Sequence, residues 1–322
     1  MKDKMKILFF GTPDIAVLYL KKLVESHAPE GAGFIEVVTS ADKPKGRGYK
    51  VTCSPVKEYA DLNNLKVYQP KFCKDENFLK EISQVNIDLG VVVSFGQILP
   101  KSLFSLPTYG SINVHFSLLP KYRGAAPVNW AIINGETKTG VSIIYVEEKL
   151  DSGDIILQLE EPIKEDDDAF SLMERLINIS TIKLLDVIEL VTNGKVAKIK
   201  QDETKVSYAP KIKKEDTSIN WQSSSRDIFN FIRGLSPEPA ACSKLNGKTI
   251  KILKSEILEE GKKLTQTPGE ILECIKNKGW KVSTSDGSLI IKMIKPEGKK
   301  LMSVDEYMRG NRIPENVRFE DR

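Results

Sequence analysis

Two polar residues at the end of an apolar run are the best candidates for acid–base chemistry in this sequence. Asn113 and His115 stand two positions apart in Ser111–His115, so on a β-strand both side chains point to the same face. Histidine is the usual general acid or base near neutral pH, and an amide beside it can donate a hydrogen bond to a developing oxyanion. The same pair is also compatible with a core histidine and an asparagine that ends a strand.

A second polar cluster follows at Asp151-Ser152-Gly153-Asp154. Its composition is typical of an Asx turn, but a carboxylate there could also orient His115 and favour its charged form. Between the two motifs, residues 117–124 (Ser-Leu-Leu-Pro-Lys-Tyr-Arg-Gly) match no regular element. Apolar, proline-stiffened loops beside polar pairs are typical of small-ligand pockets. The sequence therefore predicts a site around Asn113, His115 and a carboxylate of this turn.

The sequence motifs and the numbers of cysteine and histidine residues disfavour several common kinds of site. The first apolar run ends in Gly11-Thr12-Pro13, without the glycine pattern that lets a dinucleotide pyrophosphate approach. The four cysteines form no C-x-x-C pair and only two histidines are present, so we expect no disulfide framework and no metal. No apolar run approaches the roughly 18 residues of a membrane helix, and no signal peptide is recognisable. We therefore expect a cytoplasmic protein.

The positions of these residues depend on the secondary structure that surrounds them. Hydrophobic residues make up 40% of the 322 positions and charged residues 29%, which excludes a disordered or fibrous chain. The patterns predict strands at 6–10, 34–39, 66–68, 89–94, 111–115 and 141–146, and helices at 15–25, 54–63, 77–83 and 127–133. This alternation predicts a doubly wound α/β domain with a mostly parallel sheet, in which ligands bind at the carboxyl ends of the strands.

The chain changes character after about residue 211. One helix is predicted at 226–233, followed by short alternating runs at 241–245, 249–255, 269–275, 280–284 and 289–294. Closely spaced short strands favour a small β-barrel. We therefore predict a catalytic domain at 1–192, a linker at 193–214 and a β-barrel domain at 215–322.

Positive charge is concentrated in two places. Residues 211–322 carry 22 basic and 16 acidic side chains, whereas residues 1–210 carry 26 and 28. A second basic cluster is the loop that contains Lys43, Lys45, Arg47 and Lys50. Basic surfaces attract polyanions such as nucleic acids, although a solvated lysine-rich face would explain the same counts.

Taken together, the motifs resemble those of the tetrahydrofolate-dependent formyltransferases. The matching segments extend over nearly the whole chain; they include Asn113-Val-His115, the run 117–124, Leu150-Asp-Ser-Gly-Asp154, Gln201-Asp-Glu-Thr204 and the basic run 42–48. The resemblance implies a formyltransferase domain followed by an OB-like C-terminal domain. It implies 10-formyltetrahydrofolate as co-substrate and the α-amino group of initiator methionyl-tRNA as acceptor. A monomer is the default expectation for assembly.

The resemblance also implies roles for individual residues. Asn113 and protonated His115 would stabilise the oxyanion that forms when the amine attacks the formyl group, and Asp151 would hold the ring of His115. The folate pocket would be lined by Phe95, Gly96, Ile98, Leu99, Ser117, Leu118, Leu119 and Pro120. The tRNA would be contacted by Lys43, Lys45, Arg47, Lys50, Lys244, Lys248, Lys251 and Lys299. Phe116, where many relatives have glycine, could narrow the pocket entrance.

Two other interpretations stay open at this point. A formyltransferase of the same fold could act on an amino sugar nucleotide, although so small an acceptor does not require the basic loop. A non-catalytic RNA-binding relative would also carry a basic domain, although the intact Asn113, His115 and Asp151 argue against it.

Overall fold

The fold is taken from a computed structural model, which describes residues 5–26, 34–45, 50–262, 265–311 and 317–320. Arg47, one of the predicted tRNA contacts, lies outside these residues. The strands of the first two-thirds of the chain are β1 (Ile7–Gly11), β2 (Ile35–Val38), β3 (Lys43–Lys45), β4 (Lys50–Thr52), β5 (Lys66–Tyr68), β6 (Leu89–Val93), β7 (Ser111–His115), β8 (Arg123–Gly124), β9 (Lys138–Tyr145), β10 (Ile155–Pro162) and β11 (Tyr208–Ala209). The helices are α1 (Asp14–Ser26), α2 (Pro55–Leu62), α3 (Glu76–Ile82), α4 (Lys101–Phe104), α5 (Pro127–Ile133) and α6 (Ala169–Thr192).

A seven-stranded sheet with the order β10-β9-β7-β6-β1-β2-β5 organises this part of the chain. The five strands from β7 to β5 run parallel, and β9 is antiparallel to β7. Every residue of β1 is buried, as expected for a parallel strand that is covered on both faces. The predicted α/β fold with a mostly parallel sheet is confirmed.

Helix α6, which has 24 residues, was not predicted from the sequence. Its middle contains Ile177, Ile179, Ser180, Thr181 and Ile182, residue types with low intrinsic helix propensity. Tertiary packing outweighs that preference: Ser180 is fully buried and its hydroxyl lies 2.5 Å from the phenol oxygen of Tyr19 on α1.

No helix in the described ranges is long and apolar enough to cross a bilayer.

The last third of the chain is built on antiparallel strands. Its elements are α7 (Ser225–Leu235), β12 (Ala241–Leu245), β13 (Lys248–Glu259), β14 (Ile271–Ile275), β15 (Gly279–Ser283), β16 (Ser288–Pro296), β17 (Met302–Ser303) and α8 (Val304–Gly310). The sheet has the order β12-β13-β16-β15-β14, with β17 paired to β16. Its core contains Trp221, which stacks on Phe319 at a ring distance of 5.0 Å, and Trp280. The antiparallel C-terminal domain is therefore confirmed.

A short terminal segment joins the two edges of this sheet. Glu320 pairs with Lys244 on β12, and Arg318 pairs with Glu270 next to β14. These bridges support the predicted closure into an OB-like barrel, which stays a prediction.

The described residues form two compact units, each assembled from separate stretches of chain. The first contains 1–125, 140–161 and 175–208, and the second contains 126–139, 162–174 and 209–322. The contiguous domains predicted at 1–192 and 215–322, with a linker at 193–214, stay a prediction. All residues of the predicted catalytic site belong to the first unit.

Candidate active site

Three loops meet at the carboxyl edge of the parallel sheet. Strands β1, β6 and β7 are neighbours in register, with Gly11 opposite Val93 and Val93 opposite Val114. The loops after β1 and β6 touch directly, because the Thr12 hydroxyl donates a hydrogen bond of 3.1 Å to the carbonyl of Phe95. His115 ends β7 at the same edge, which is where open α/β sheets bind their ligands.

The structure brings the three predicted catalytic residues together around the carboxylate of Asp151. The Asn113 amide donates to Oδ1 at 3.3 Å, and Oδ2 lies 3.5 Å from Nδ1 of His115. The backbone N–H of Gly124 also donates to Oδ2, at 2.9 Å. The side chains of His115 and Asp151 are only 6% and 8% exposed, so water screens their interaction weakly. Two hydrogen-bond donors and one imidazole nitrogen thus converge on one buried carboxylate.

The imidazole ring of His115 is engaged at both nitrogens. Its Nε2 lies 2.9 Å from the carbonyl oxygen of Tyr122. Since a carbonyl oxygen can only accept, Nε2 carries the hydrogen in this arrangement. The other nitrogen, Nδ1, faces the carboxylate of Asp151 at 3.5 Å. The ring is therefore held between a carbonyl and a carboxylate.

The turn that presents Asp151 is tightly built. Asp151 has φ 50°, a left-handed conformation that is uncommon outside glycine and favours Asn or Asp when it occurs elsewhere. Two residues later, a Cβ on Gly153 would lie on the carbonyl oxygen of Tyr145. Both features hold the turn close to the end of β9, and larger residues at Gly153 would displace it.

Two side chains that the sequence analysis left without a role support this turn. The Gln201 amide nitrogen donates to the carbonyls of Asp151 and Gly153, both at 2.8 Å. The buried guanidinium of Arg123 donates in turn to the Gln201 side-chain oxygen. Both residues lie in sequence motifs that resemble those of formyltransferases, and this resemblance is the sequence signal that could have pointed to them. Contacts across 50 and 78 positions of sequence cannot be read from local patterns.

Comparison with known proteins shows which family this architecture represents. The model of the family described as "Formyl transferase" matches residues 5–188, and that of "Formyl transferase, C-terminal domain" matches residues 211–312. The chain belongs to the formyl transferase family. Within it, a methionyl-tRNA formyltransferase of Fusobacterium nucleatum is 49% identical over 306 residues, covering 95% of this chain and 97% of that protein. One of Clostridioides difficile is 46% identical and covers 96% and 98%.

Solved structures at lower identity share the fold. An N-formyltransferase of Helicobacter canadensis, in complex with folinic acid and dTDP-3-aminofucose, matches with a TM-score of 0.66 at 24% identity, covering 89% of this chain and 98% of that one. HypX of Aquifex aeolicus in complex with tetrahydrofolic acid matches with a TM-score of 0.64 at 18% identity, covering 95% and 47%. At these identities the likeness establishes the fold.

The residues predicted to bind folate fall into two groups. Phe95, Leu99 and Leu119 are buried in apolar clusters, and Ser117 is buried with its hydroxyl donating to the carbonyl of Lys121. Ile98, in contrast, is 80% exposed. The others are Gly96, which has positive φ and open space around it, and the partly buried Leu118 and Pro120. The buried members support the loops, and the accessible surface is provided by the rest.

Phe116 does not occupy the site face of β7. Its ring is buried and packs edge-on against Tyr19 of α1 at 6.5 Å. The reason is the alternation of the strand, which sends Asn113 and His115 to one side and Val114 and Phe116 to the other. The large side chain therefore belongs to the core between sheet and helix.

The predicted basic contacts are divided between the two units, and of those in the first unit only the side chain of Lys43 is described. In the first unit, β3 and β4 pair as an antiparallel ribbon, and exposed Lys43 follows Asp42, which accepts hydrogen bonds from Lys57 and Gln69. In the second unit, Lys244, Lys248 and Lys299 are exposed, and Lys251 is half-buried. None of these four C-terminal lysines forms an ion pair with a carboxylate among the residues that the structure describes.

One like-charge pair is notable in this second unit. Lys251 on β13 stands directly opposite Lys295 on β16, and like charges in such cross-strand positions are destabilising.

The described part of the chain contains no group of three or more side chains suited to hold a metal.

Proposed function

We propose that this chain transfers the formyl group of 10-formyltetrahydrofolate to the α-amino group of methionine on initiator tRNA. The observation that carries the proposal is the convergence of Asn113, His115 and Asp151 at the carboxyl edge of the sheet. The acceptor of the formyl group is inferred from the methionyl-tRNA formyltransferases, which are 42–49% identical to this protein over nearly the whole chain. The sugar formyl transferases among the solved structures are more distant, at 22–24% identity.

The accessible surface beside the site fits the folate co-substrate. Ile98 presents an exposed apolar side chain, and Gly96 has no neighbouring atom within 4 Å of where a Cβ would stand. An apolar surface beside a small number of fixed polar groups is the usual composition of such a site. When bound, the folate supplies the formyl group that is transferred.

Asn113 and His115 would stabilise the charge that develops on the formyl oxygen. Asn113 commits one amide hydrogen to Asp151 and keeps a second one for the substrate. His115 donates from Nε2 to Tyr122 in the structure, so it reaches the formyl oxygen by exchanging that acceptor. Preorganised donors of this kind usually make the largest contribution to acyl-transfer catalysis.

Asp151 supports both donors without leaving its place. Its negative charge lies 3.5 Å from Nδ1 of His115 and would offset a positive charge on the imidazole during the reaction. The same carboxylate fixes the orientation of the Asn113 amide through the 3.3 Å hydrogen bond. Through water, it can also accept a proton from the attacking amine.

The C-terminal lysine surface is suited to the phosphates of the tRNA. Lys244, Lys248, Lys251 and Lys299 have no carboxylate partners among the residues described, so no negative charge balances theirs. The ammonium of Lys251 donates to the neutral carbonyl of Pro239 at 2.8 Å. A phosphate placed between Lys251 and Lys295 would relieve their mutual repulsion. Contacts of this kind position a nucleic acid and carry little base information. On the first unit, Lys43, Lys45, Arg47 and Lys50 are proposed to contact the same tRNA.

The remaining parts of the proposal concern the setting of the reaction. We infer a monomer that acts in the cytoplasm, where aminoacylated initiator tRNA is used for translation. The absence of a membrane-spanning helix among the described residues is compatible with this setting.

A formyl-transfer assay with three acceptors tests the proposal. Purified protein and 10-formyltetrahydrofolate are supplied with aminoacylated initiator methionyl-tRNA, free methionine or an amino sugar nucleotide, and His115→Ala is the control. Product with the charged tRNA alone, lost in His115→Ala while tRNA binding persists, would support the proposal. Product with the sugar nucleotide alone would keep the site and remove the tRNA. No product with any acceptor, with tRNA still bound, would favour a non-catalytic RNA-binding protein.

A further inference from the structure

The amide of Gln201 lies between the turn that presents Asp151 and the guanidinium of Arg123. Its nitrogen donates to the carbonyls of Asp151 and Gly153, both at 2.8 Å. Its oxygen accepts from Nε and a terminal nitrogen of Arg123, at 3.1 and 2.8 Å. All four contacts of the amide are therefore made by protein groups, two on the turn of Asp151 and two on Arg123 of β8.

Only one orientation of this amide satisfies its surroundings. In the reverse orientation the NH2 group would face the guanidinium, which only donates, and the oxygen would face two carbonyls, which only accept. Arg123 is 3% exposed, and Glu203 holds its outer edge with a 2.7 Å contact. The arginine therefore determines which way Gln201 points, and Gln201 in turn determines the position of the Asp151 backbone.

The segment 201–207, which contains Gln201, also holds the stretch of chain around Tyr122 and Arg123. The Ser207 hydroxyl accepts from the backbone N–H of Tyr122 at 2.9 Å, and the Ser207 carbonyl accepts from that of Arg123 at 2.9 Å. The next residue, Gly124, donates its backbone N–H to the Asp151 carboxylate. Residues 201–207 thus hold Asp151 twice, through its own carbonyl and through the loop that binds its side chain.

We propose that Arg123 and Gln201 are positioning residues that hold the Asp151 carboxylate against His115 and Asn113 during formyl transfer. This inference rests on the proposed function for the reaction involved, and on the hydrogen-bond geometry for the mechanism. It places residues 201–207, which lie in the predicted linker, in the catalytic apparatus. Neither residue touches the reacting groups in this account; both act through Asp151.

Two substitutions and one double variant test the inference. Gln201→Glu keeps the size of the side chain and its acceptor for Arg123 but removes both donors to the turn. Arg123→Lys keeps the positive charge but loses the fork that fixes the Gln201 amide. We expect kcat to fall about 30- to 100-fold for Gln201→Glu, with KM for both substrates within about threefold, because small displacements of catalytic groups cost this much. A smaller loss in the same direction is expected for Arg123→Lys.

A double variant that includes Asp151 distinguishes a positioning role of Gln201 from a general loss of protein stability. If Gln201 acts through Asp151, the Asp151→Asn, Gln201→Glu double variant should be no more than about threefold slower than Asp151→Asn alone. Arg175→Lys is the matched control, because Arg175 pairs with Glu161 at 2.8 Å in the same unit and should keep kcat near the wild-type value. Fully multiplicative losses in the double variant would overturn the inference, as would losses no larger than in the control.

Hydrogen–deuterium exchange provides a readout that does not depend on turnover. In Gln201→Glu the amides of residues 146–154 and of Gly124 should exchange faster, with no such change in Arg175→Lys. Unchanged exchange there would overturn the positioning role even if activity fell. A fall in kcat fully accounted for by a lower folded fraction in thermal unfolding would do the same. Wild-type protein that transfers no formyl group would refute the proposed function instead, and the exchange experiment would still decide the positioning.

Discussion

Replacing Asp151 by asparagine removes one negative charge and changes the shape of the site very little. In the wild-type protein the carboxylate accepts hydrogen bonds from Asn113 and from the backbone of Gly124 and lies 3.5 Å from Nδ1 of His115. An amide has one acceptor oxygen and one donating nitrogen. If its oxygen stays toward His115 and Gly124, its nitrogen faces the nitrogen of Asn113 at about the 3.3 Å of the present hydrogen bond. The substitution therefore weakens the support of His115 and also turns Asn113 away from its position.

The size of the effect follows from the 3.5 Å separation between Nδ1 of His115 and the carboxylate oxygen. With an effective dielectric constant near 20, two unit charges at this distance attract by about 5 kcal/mol. The amide oxygen of the variant retains a neutral hydrogen bond worth about 1 kcal/mol. About 3–4 kcal/mol of support for the charged imidazole is then lost in the transition state. This corresponds to a fall in kcat of roughly 10²- to 10³-fold.

Single-turnover formyl transfer to charged initiator tRNA is the suitable assay, because product release does not mask the chemical step. Glu148→Gln is the matched control, since it removes one negative charge from the same loop at a side chain that is 69% exposed, and it should keep the wild-type rate within about threefold. A loss of less than tenfold in Asp151→Asn, or an equal loss in both variants, would refute the electrostatic reasoning. The roles of Asn113 and His115 would then have to be derived without the carboxylate.

Three further outcomes are expected. In the C-terminal unit, Lys251→Ala or Lys295→Ala should raise KM for the tRNA and reduce the salt dependence of tRNA binding by about one counterion per lost phosphate contact, with KM for the folate unchanged; an unchanged salt slope would argue against a phosphate contact. Trp221→Phe should lower the free energy of unfolding by about 2 kcal/mol in urea denaturation, because the buried indole loses packing and its hydrogen bond. Hydrogen bonds, first from the Thr204 side chain, lower the pKa of Asp202 from 3.8 to about 2. The stability this carboxylate adds is present above pH 4 and is lost as the pH falls toward 2, so acid unfolding of Asp202→Asn should be less steep in that range.

Much of the fold could be predicted because its apolar runs are short and clearly bounded. Strand β7 and helix α5 have the predicted bounds, Ser111–His115 and Pro127–Ile133. Strand β13 was predicted too short, at 249–255, and extends over Lys248–Glu259. The missed end pairs with β16 across a further shift in register, between Ile257 and Glu259. Such a bulge interrupts the alternation of apolar and polar residues on which the prediction depended.

The candidate site was predictable to the extent that residue types reveal chemistry. Asn113 and His115 could be placed on one strand face from their spacing alone, and the family motif added Asp151. What the sequence could not provide was the contact at Nε2 of His115, because its partner is the backbone carbonyl of Tyr122. Any residue at that position offers the same carbonyl, so no side-chain pattern marks it.

The support of Asp151 illustrates why a site in an α/β fold can need residues far outside its sheet. Strands hold Asn113 and His115 through backbone pairing, but Asp151 lies in a turn beyond β9, where strand pairing does not satisfy the carbonyls. Buried carbonyls without partners are costly, and here Gln201 supplies donors to those of Asp151 and Gly153. A chain that ended at residue 192 would lose both donors while keeping every strand of the sheet. The segment that was predicted to be a linker is thus what completes the turn, and we expect the catalytic unit to extend through Ser207.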